Sequence, residues 1–193
     1  GGDRVQGRGW RMQHGSLSLG FSPSAVVVAI GTNDLGSGED PDVVVDEIKE
    51  LVELIYATKR APVVLSAILP RGADEGTRGS DSFHRSAWWH TLWNPYRASI
   101  ERVNAALHSF EGPSRAWLTV VDGGDLFVHD AYSPESQVDL GAAPGQKYIK
   151  TEQMYDLLHL TPEGYRAWAG CLKPHVRNAV MRAGAGRRGT TQE

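Results

Sequence analysis

The sequence predicts a three-layer α/β domain, with a parallel sheet covered by helices on both faces. Three observations carry this: short β-branched runs recur along the chain, helical patterns separate them, and each run is apolar almost throughout. Strands buried on both faces read in that continuous way, whereas half-exposed strands alternate. Strands that alternate with helices join into parallel sheets, because each crossover needs a helix. The 193 residues, 40% hydrophobic and 22% charged, suffice for one domain with a sizeable core.

A first helix is expected over residues 5–12, although Gly7 and Gly9 weaken its pattern. The first strand is Ala25-Val26-Val27-Val28-Ala29-Ile30. Val44, Ile48, Leu51, Val52 and Ile55 then recur at helical spacing, after an Asp40-Pro41 pair that suits a cap and a first helical position. The second strand is Pro62-Val63-Val64-Leu65-Ser66-Ala67-Ile68-Leu69. A helix over about 96–110 carries Ile100, Val103, Ala106 and Leu107 on one stripe, and Trp117-Leu118-Thr119-Val120-Val121 is the third strand. The last helix starts at Thr161-Pro162-Glu163, where a Thr cap, a Pro and an acid meet the positive helix end. Residues 73–95, polar and then aromatic with Trp88, Trp89 and Trp93, fit no element. Nor do residues 131–151, rich in Gly, Pro and Ser. Loops of this length are commonly functional or disordered. The domain is placed at residues 1–183, and residues 184–193 read as a flexible basic tail with Arg187 and Arg188.

Composition narrows the function. A net charge of −3 argues against a nucleic-acid binder. No apolar run approaches the roughly 20 residues of a membrane span. The single cysteine, Cys171, rules out an intrachain disulfide and favours a reducing, cytoplasmic compartment. It lies among apolar neighbours in the last helix and reads as a packing residue. The chain starts Gly1-Gly2-Asp3 without Met and shows no targeting signal, so localisation stays open. His84, His90, His108, His129 and His175 lack metal-type spacing and read as surface or loop residues.

Open parallel sheets bind ligands beyond the carboxyl ends of their strands. Gly31-Thr32-Asn33-Asp34 follows the first strand at that edge. The Asn33 amide is a neutral donor suited to a developing oxyanion; the plainer alternative is a turn residue. Met154-Tyr155-Asp156-Leu157-Leu158-His159-Leu160 sets an acid three residues before a histidine. A carboxylate so placed can orient an imidazole as general base and then acid; the alternative is a solvated Asp and a core His. In Gly1-Gly2-Asp3, the Gly2 backbone N–H is a candidate anion donor ahead of a helix, or part of a flexible terminus.

Taken in order, these segments resemble blocks II, III and V of the SGNH/GDSL hydrolase superfamily, on the branch of intracellular platelet-activating factor acetylhydrolase catalytic subunits. The likeness rests on Gly1-Gly2-Asp3 followed by Trp10-Arg11 and on Val26-Val27-Val28 leading into Gly31-Thr32-Asn33. Leu69-Pro70-Arg71-Gly72 and Met154 to Leu160 complete it, in register over most of residues 1–172. The resemblance implies a flavodoxin-like fold and carboxylester hydrolysis without metal or cofactor. It implies that Asp156 and His159 are the acid and base of a triad, and that Gly2 and Asn33 form the oxyanion hole. The substrate expected is a small acyl or acetyl ester of a small molecule, lipid or carbohydrate; a homodimer is left open.

The sequence departs from that pattern at block I, the Gly-Asp-Ser nucleophile segment, which should lie upstream of Gly1 and bring the first sheet strand with it. The expected result is an exposed sheet edge and a chain inactive by itself. Gly79-Ser80-Asp81-Ser82 lies in a polar loop with no preceding strand. Ser66 is inside a strand, and nothing fixes Ser16 or Ser18. The favoured explanation is a fragment of a longer serine esterase; the alternative is a non-catalytic ligand-binding relative of the same fold. The Trp88, Trp89 and Trp93 stretch is either a lid beside the acyl site or an anchor for its loop.

Overall fold

The computed structural model describes residues 3–11, 21–72, 96–130 and 147–189. Its elements are α1 (Val5–Arg11), β1 (Val26–Val28), α2 (Thr32–Gly36), α3 (Pro41–Lys59), β2 (Val63–Ser66), α4 (Arg97–Phe110), β3 (Leu118–Val121), β4 (Val128–Asp130), β5 (Lys147–Ile149) and α5 (Pro162–Gly189). The sheet order is β1-β2-β3, all parallel, with Val26 opposite Val63 and Val63 opposite Leu118.

Strand periodicity assigns the two faces. Successive side chains point to opposite sides, so Val63 and Leu65 of β2 join Leu118 and Val120 of β3 in a core with α3 and α4. Val64 and Val121 face the other way, onto Leu172 and Ala179 of α5. All four β2 residues are buried, which explains the unbroken apolar run. On α3, Val44, Val45, Ile48, Leu51, Val52 and Ile55 form the buried stripe. Full burial of each such side chain stabilises the fold by about 1.5–3 kcal/mol. The α3 N-terminus is fixed by Asp40, whose side chain accepts the Asp42 backbone N–H at 2.8 Å, with Pro41 in the first turn. Cys171 lies part-buried in the α5 core, as its apolar neighbours predict.

Some expectations are corrected. Residues 131–151 read from the sequence as irregular throughout, but Lys147–Ile149 is strand β5, antiparallel to β4 with His129 opposite Tyr148. A three-residue pairing is too short to show periodicity. The polar turn expected after the first strand winds into α2. The last helix continues to Gly189, past the expected tail start at 184. The Trp88, Trp89 and Trp93 stretch lies outside the described residues. Among the described residues, β1 pairs on one side only, with β2, and its Val27 is 45% exposed. No helix of the described residues is long and apolar enough to cross a membrane.

Candidate active site

Beyond β1 the chain must turn sharply over a filled core, and Gly31 makes that turn at φ 101°. A side chain there would be strained, and a Cβ would sit 2.8 Å from Ile68 Cδ1 and 3.0 Å from Ile48 Cδ1. The turn starts α2 at once, with Asn33 in its first turn. Asn33 Nδ2 donates to the Asp3 carbonyl at 2.9 Å. Next to it, buried Asp34 accepts the Val5 backbone N–H on Oδ1 at 3.2 Å. These two bonds tie the segment entering α1 to the segment leaving β1. An amide NH2 carries two hydrogens, so the bond to Asp3 orients Asn33 and leaves a second hydrogen for a ligand.

Asp156 and His159 lie on a compact turn between β5 and α5. Met154, 1% exposed, anchors its start and pairs across to Leu160 in an antiparallel bridge. Its apex, Leu157, has φ 64°, a conformation uncommon outside glycine. The Gly72 N–H donates to the Leu157 carbonyl at 2.8 Å, and a Cβ at Gly72 would meet Leu157 Cβ at 2.7 Å. Thr161 closes the turn: its Oγ1 donates to the Glu152 carbonyl and accepts the Gly164 N–H in α5.

Within this turn, Asp156 Oδ2 lies 2.6 Å from His159 Nδ1. Asp156 Oδ1 accepts the backbone N–H groups of Leu158 at 3.1 Å and His159 at 2.6 Å. Burial pushes the Asp156 carboxyl upward, but those backbone bonds, the ring and its charge outweigh it and hold the group below the usual carboxylate range. An ionised Asp156 accepts only, so Nδ1 carries the proton and Nε2 is left as the basic nitrogen. The Asp156 side chain is 9% exposed and that of His159 57%, so the orienting carboxylate is sheltered while the ring meets solvent. The exposed Tyr155 ring stacks on His159 with centroids 6.1 Å apart.

His159 and Asn33 line the same cavity, of about 440 Å³, at the carboxyl ends of β1 and β2. Leu158, Tyr165 and Trp168 are among its apolar lining residues. Ser66 also lines it but is 2% exposed, donates to the Ala67 carbonyl at 3.0 Å and accepts the Trp168 indole N–H at 3.1 Å. Its hydroxyl is held within the floor by these two bonds, and neither involves an imidazole.

The structure therefore brings Asn33 and His159 to one cavity, with Asp156 bonded behind the ring. Gly2 lies outside the described residues; its neighbour Asp3 is on the cavity wall. Two supporting residues, Asn104 and Arg71, carry no assigned role in the sequence reading. Asn104, buried in α4, accepts the Ile68 N–H and donates to the Ile68 carbonyl, both at 2.9 Å, and so fixes the exit from β2. An Asn next to Val103 in an apolar stripe was the available signal. Of the other histidines, His108 is exposed and His129 faces Glu152 at 3.7 Å.

The chain matches the GDSL-like lipase/acylhydrolase family over residues 1–167. It is 30% identical over 167 residues to platelet-activating factor acetylhydrolase IB subunit alpha1 of Bos taurus, and 29% identical to subunit alpha2 of Rattus norvegicus. Each alignment covers 86% of this chain and 56% of the relative, so the chain spans little more than half the length of these curated relatives. In fold it is similar to a GDSL-like lipase from Bacteroides thetaiotaomicron, with TM-score 0.64 and 19% identity, covering 92% of this chain and 73% of that one. It is also similar to a carbohydrate esterase family 3 protein from Talaromyces cellulolyticus, with TM-score 0.56 and 15% identity, covering 94% and 70%. Those neighbours share the α/β fold, and the match over most of its length makes this chain a member of the GDSL-like lipase/acylhydrolase family.

Proposed function

We propose that this chain is the greater part of a carboxylester hydrolase domain acting on small acyl or acetyl esters, with its serine nucleophile supplied by preceding polypeptide. The observation that carries this is the 2.6 Å Asp156–His159 contact on the same cavity as the Asn33 amide. The length of the relatives, and their printed name as acetylhydrolase subunits, support it. The side of β1 left open among the described residues supports it too. A parallel strand added there would end at the rim where Ile30 meets Gly31, beside Asn33.

In this reading the serine Oγ attacks the ester carbonyl while His159 Nε2 takes its proton. The negative oxygen of the tetrahedral intermediate is met by the second Asn33 N–H and the Gly2 backbone N–H, each donor lowering the barrier by about 3–4 kcal/mol. The imidazolium, stabilised by Asp156, protonates the leaving alcohol. Water then hydrolyses the acyl-enzyme by the same proton route in reverse.

The test is made on the full-length protein with p-nitrophenyl acetate and a fluorophosphonate probe. Labelling of one serine ahead of Gly1, and loss of about 1,000-fold or more in kcat for His159→Ala, are expected. Undiminished turnover by His159→Ala would overturn the role of His159. A full-length protein that neither turns over the ester nor takes the probe is a non-catalytic binding relative.

A further inference from the structure

Arg71 follows β2 at the exit fixed by Asn104 and is only 3% exposed. A guanidinium is rarely buried so completely, because desolvating it is costly unless its surroundings compensate. Its Nη1 donates to the Thr32 carbonyl at 2.5 Å, 39 residues back in the chain. Its Cζ lies 4.5 Å from the centre of the Tyr96 ring, within cation–π reach. It also packs against Gly36, at the far end of α2, so closely that a Cβ there would fall 2.2 Å from Nη1. The guanidinium thus touches the one-turn helix at its first residue and at its last. The residue after Thr32 is Asn33, whose amide donates to the Asp3 carbonyl.

We propose that Arg71 is a positioning residue for Asn33: it sets the orientation of α2 and thereby the direction of the second Asn33 amide hydrogen into the cavity. This rests on the esterase reading for its consequence in catalysis, but the positioning itself belongs to this chain and is measurable without turnover. A planar, multi-donor fork suits the task. A lysine at this depth would supply one point charge, could not cover both Thr32 and Gly36, and would stack poorly on Tyr96.

The experiment pairs side-chain amide NMR with kinetics on p-nitrophenyl acetate, both on the full-length protein. Arg71→Lys is one variant. Gly36→Ala is the second: the backbone there is not left-handed, and the new methyl would displace the guanidinium. Both variants are expected to move the Asn33 NH2 resonances toward those of a freely rotating amide, with the β2 amides still protected from exchange. Both are expected to lower kcat by roughly 10- to 100-fold with KM within about twofold, since a misaimed donor is felt chiefly in the transition state. Asn33 resonances unchanged in both variants would overturn the proposal. So would a kcat loss that merely follows loss of protection in β2. If the resonances move but Asn33→Ala itself turns over normally, positioning stands and the oxyanion role of Asn33 falls.

Discussion

Asp156 and His159 lie three residues apart and draw most of their support from the turn that carries them, through Met154, Leu160 and Thr161. Asn33 instead is held by Asp3, 30 residues away, and its helix by Arg71, 39 residues from Thr32. Both regions face one cavity. The proposed acid–base turn is bonded largely within itself, with Met154 packed beside Phe127 and Ile149 and Leu157 bonded to Gly72. The Asn33 turn is bonded to segments distant in sequence: Asp3 and Val5 around the start of α1, and Arg71 after β2. The Asp156–His159 contact is thus built within three residues, whereas the contacts that hold Asn33 and its helix cross 30 residues or more.

The largest way to test that contrast is to break each half at one atom in the full-length protein. Asp156→Asn keeps the shape of the turn but can present an NH2 to His159 Nδ1. That favours the tautomer with its proton on Nε2, which cannot accept the serine proton. A loss of about 1,000- to 10,000-fold in kcat is expected, the size of effect that a wrong tautomer has in serine-hydrolase triads. Asn33→Ala removes one oxyanion donor and is expected to cost about 100- to 1,000-fold. Steady-state kinetics on p-nitrophenyl acetate measure both. An Asn33→Ala loss exceeding that of Asp156→Asn would reverse the ranking of the two regions.

The same contrast explains what was legible in the sequence. The Asp-x-x-His spacing was legible as a candidate because the pair is local, and it was weighted by its place in order with the other motifs rather than by its spacing alone. The strands were legible because Val63, Val64 and Leu65 are buried on both faces of the sheet and so carry no polar residue. Asn33 was legible as a residue at a strand's carboxyl edge, but its support was not. Arg71 and Asn104 act at sequence separations of 39 and 36 residues, and a buried arginine or asparagine looks like a surface one until the chain is folded. Strand β5 was missed for a related reason: Lys147-Tyr148-Ile149 is defined by its partner β4 and by burial of Tyr148 and Ile149, not by any pattern of its own.

A smaller effect comes from the glycines that let each region fit. At Gly31 an added methyl faces flexible side-chain ends, Ile68 Cδ1 and Ile48 Cδ1, but the backbone is left-handed. At Gly164 a methyl would lie 2.2 Å from the Gln153 carbonyl oxygen, which is backbone and belongs to the start of the acid–base turn. Gly31→Ala and Gly164→Ala are each expected to destabilise by about 1–3 kcal/mol, read by urea denaturation. They should differ in where the damage falls. Gly164→Ala is expected to disturb the His159 ring resonances and spare the Asn33 amide, and Gly31→Ala the reverse. Both variants disturbing both sets of resonances equally would mean that the two regions move as one.

The smallest difference is in response to acid. The Asp156 carboxyl is held below its ordinary value of about 3.8 because, despite burial, the hydrogen bonds from His159 and Leu158 favour the charged form. A group depressed in the folded state contributes stability that is fully present above its unfolded value and is lost as pH falls through the folded one. The stability difference between wild type and Asp156→Asn should therefore shift in the wild type's disfavour as pH falls below about 4. Asn33 carries no titrating proton, so the difference between wild type and Asn33→Ala should stay level across the same window. Urea titrations at a series of pH values decide it. An Asp156 difference as level as that of Asn33 would mean that the bonds to His159 and Leu158 do not favour the carboxylate in the folded chain.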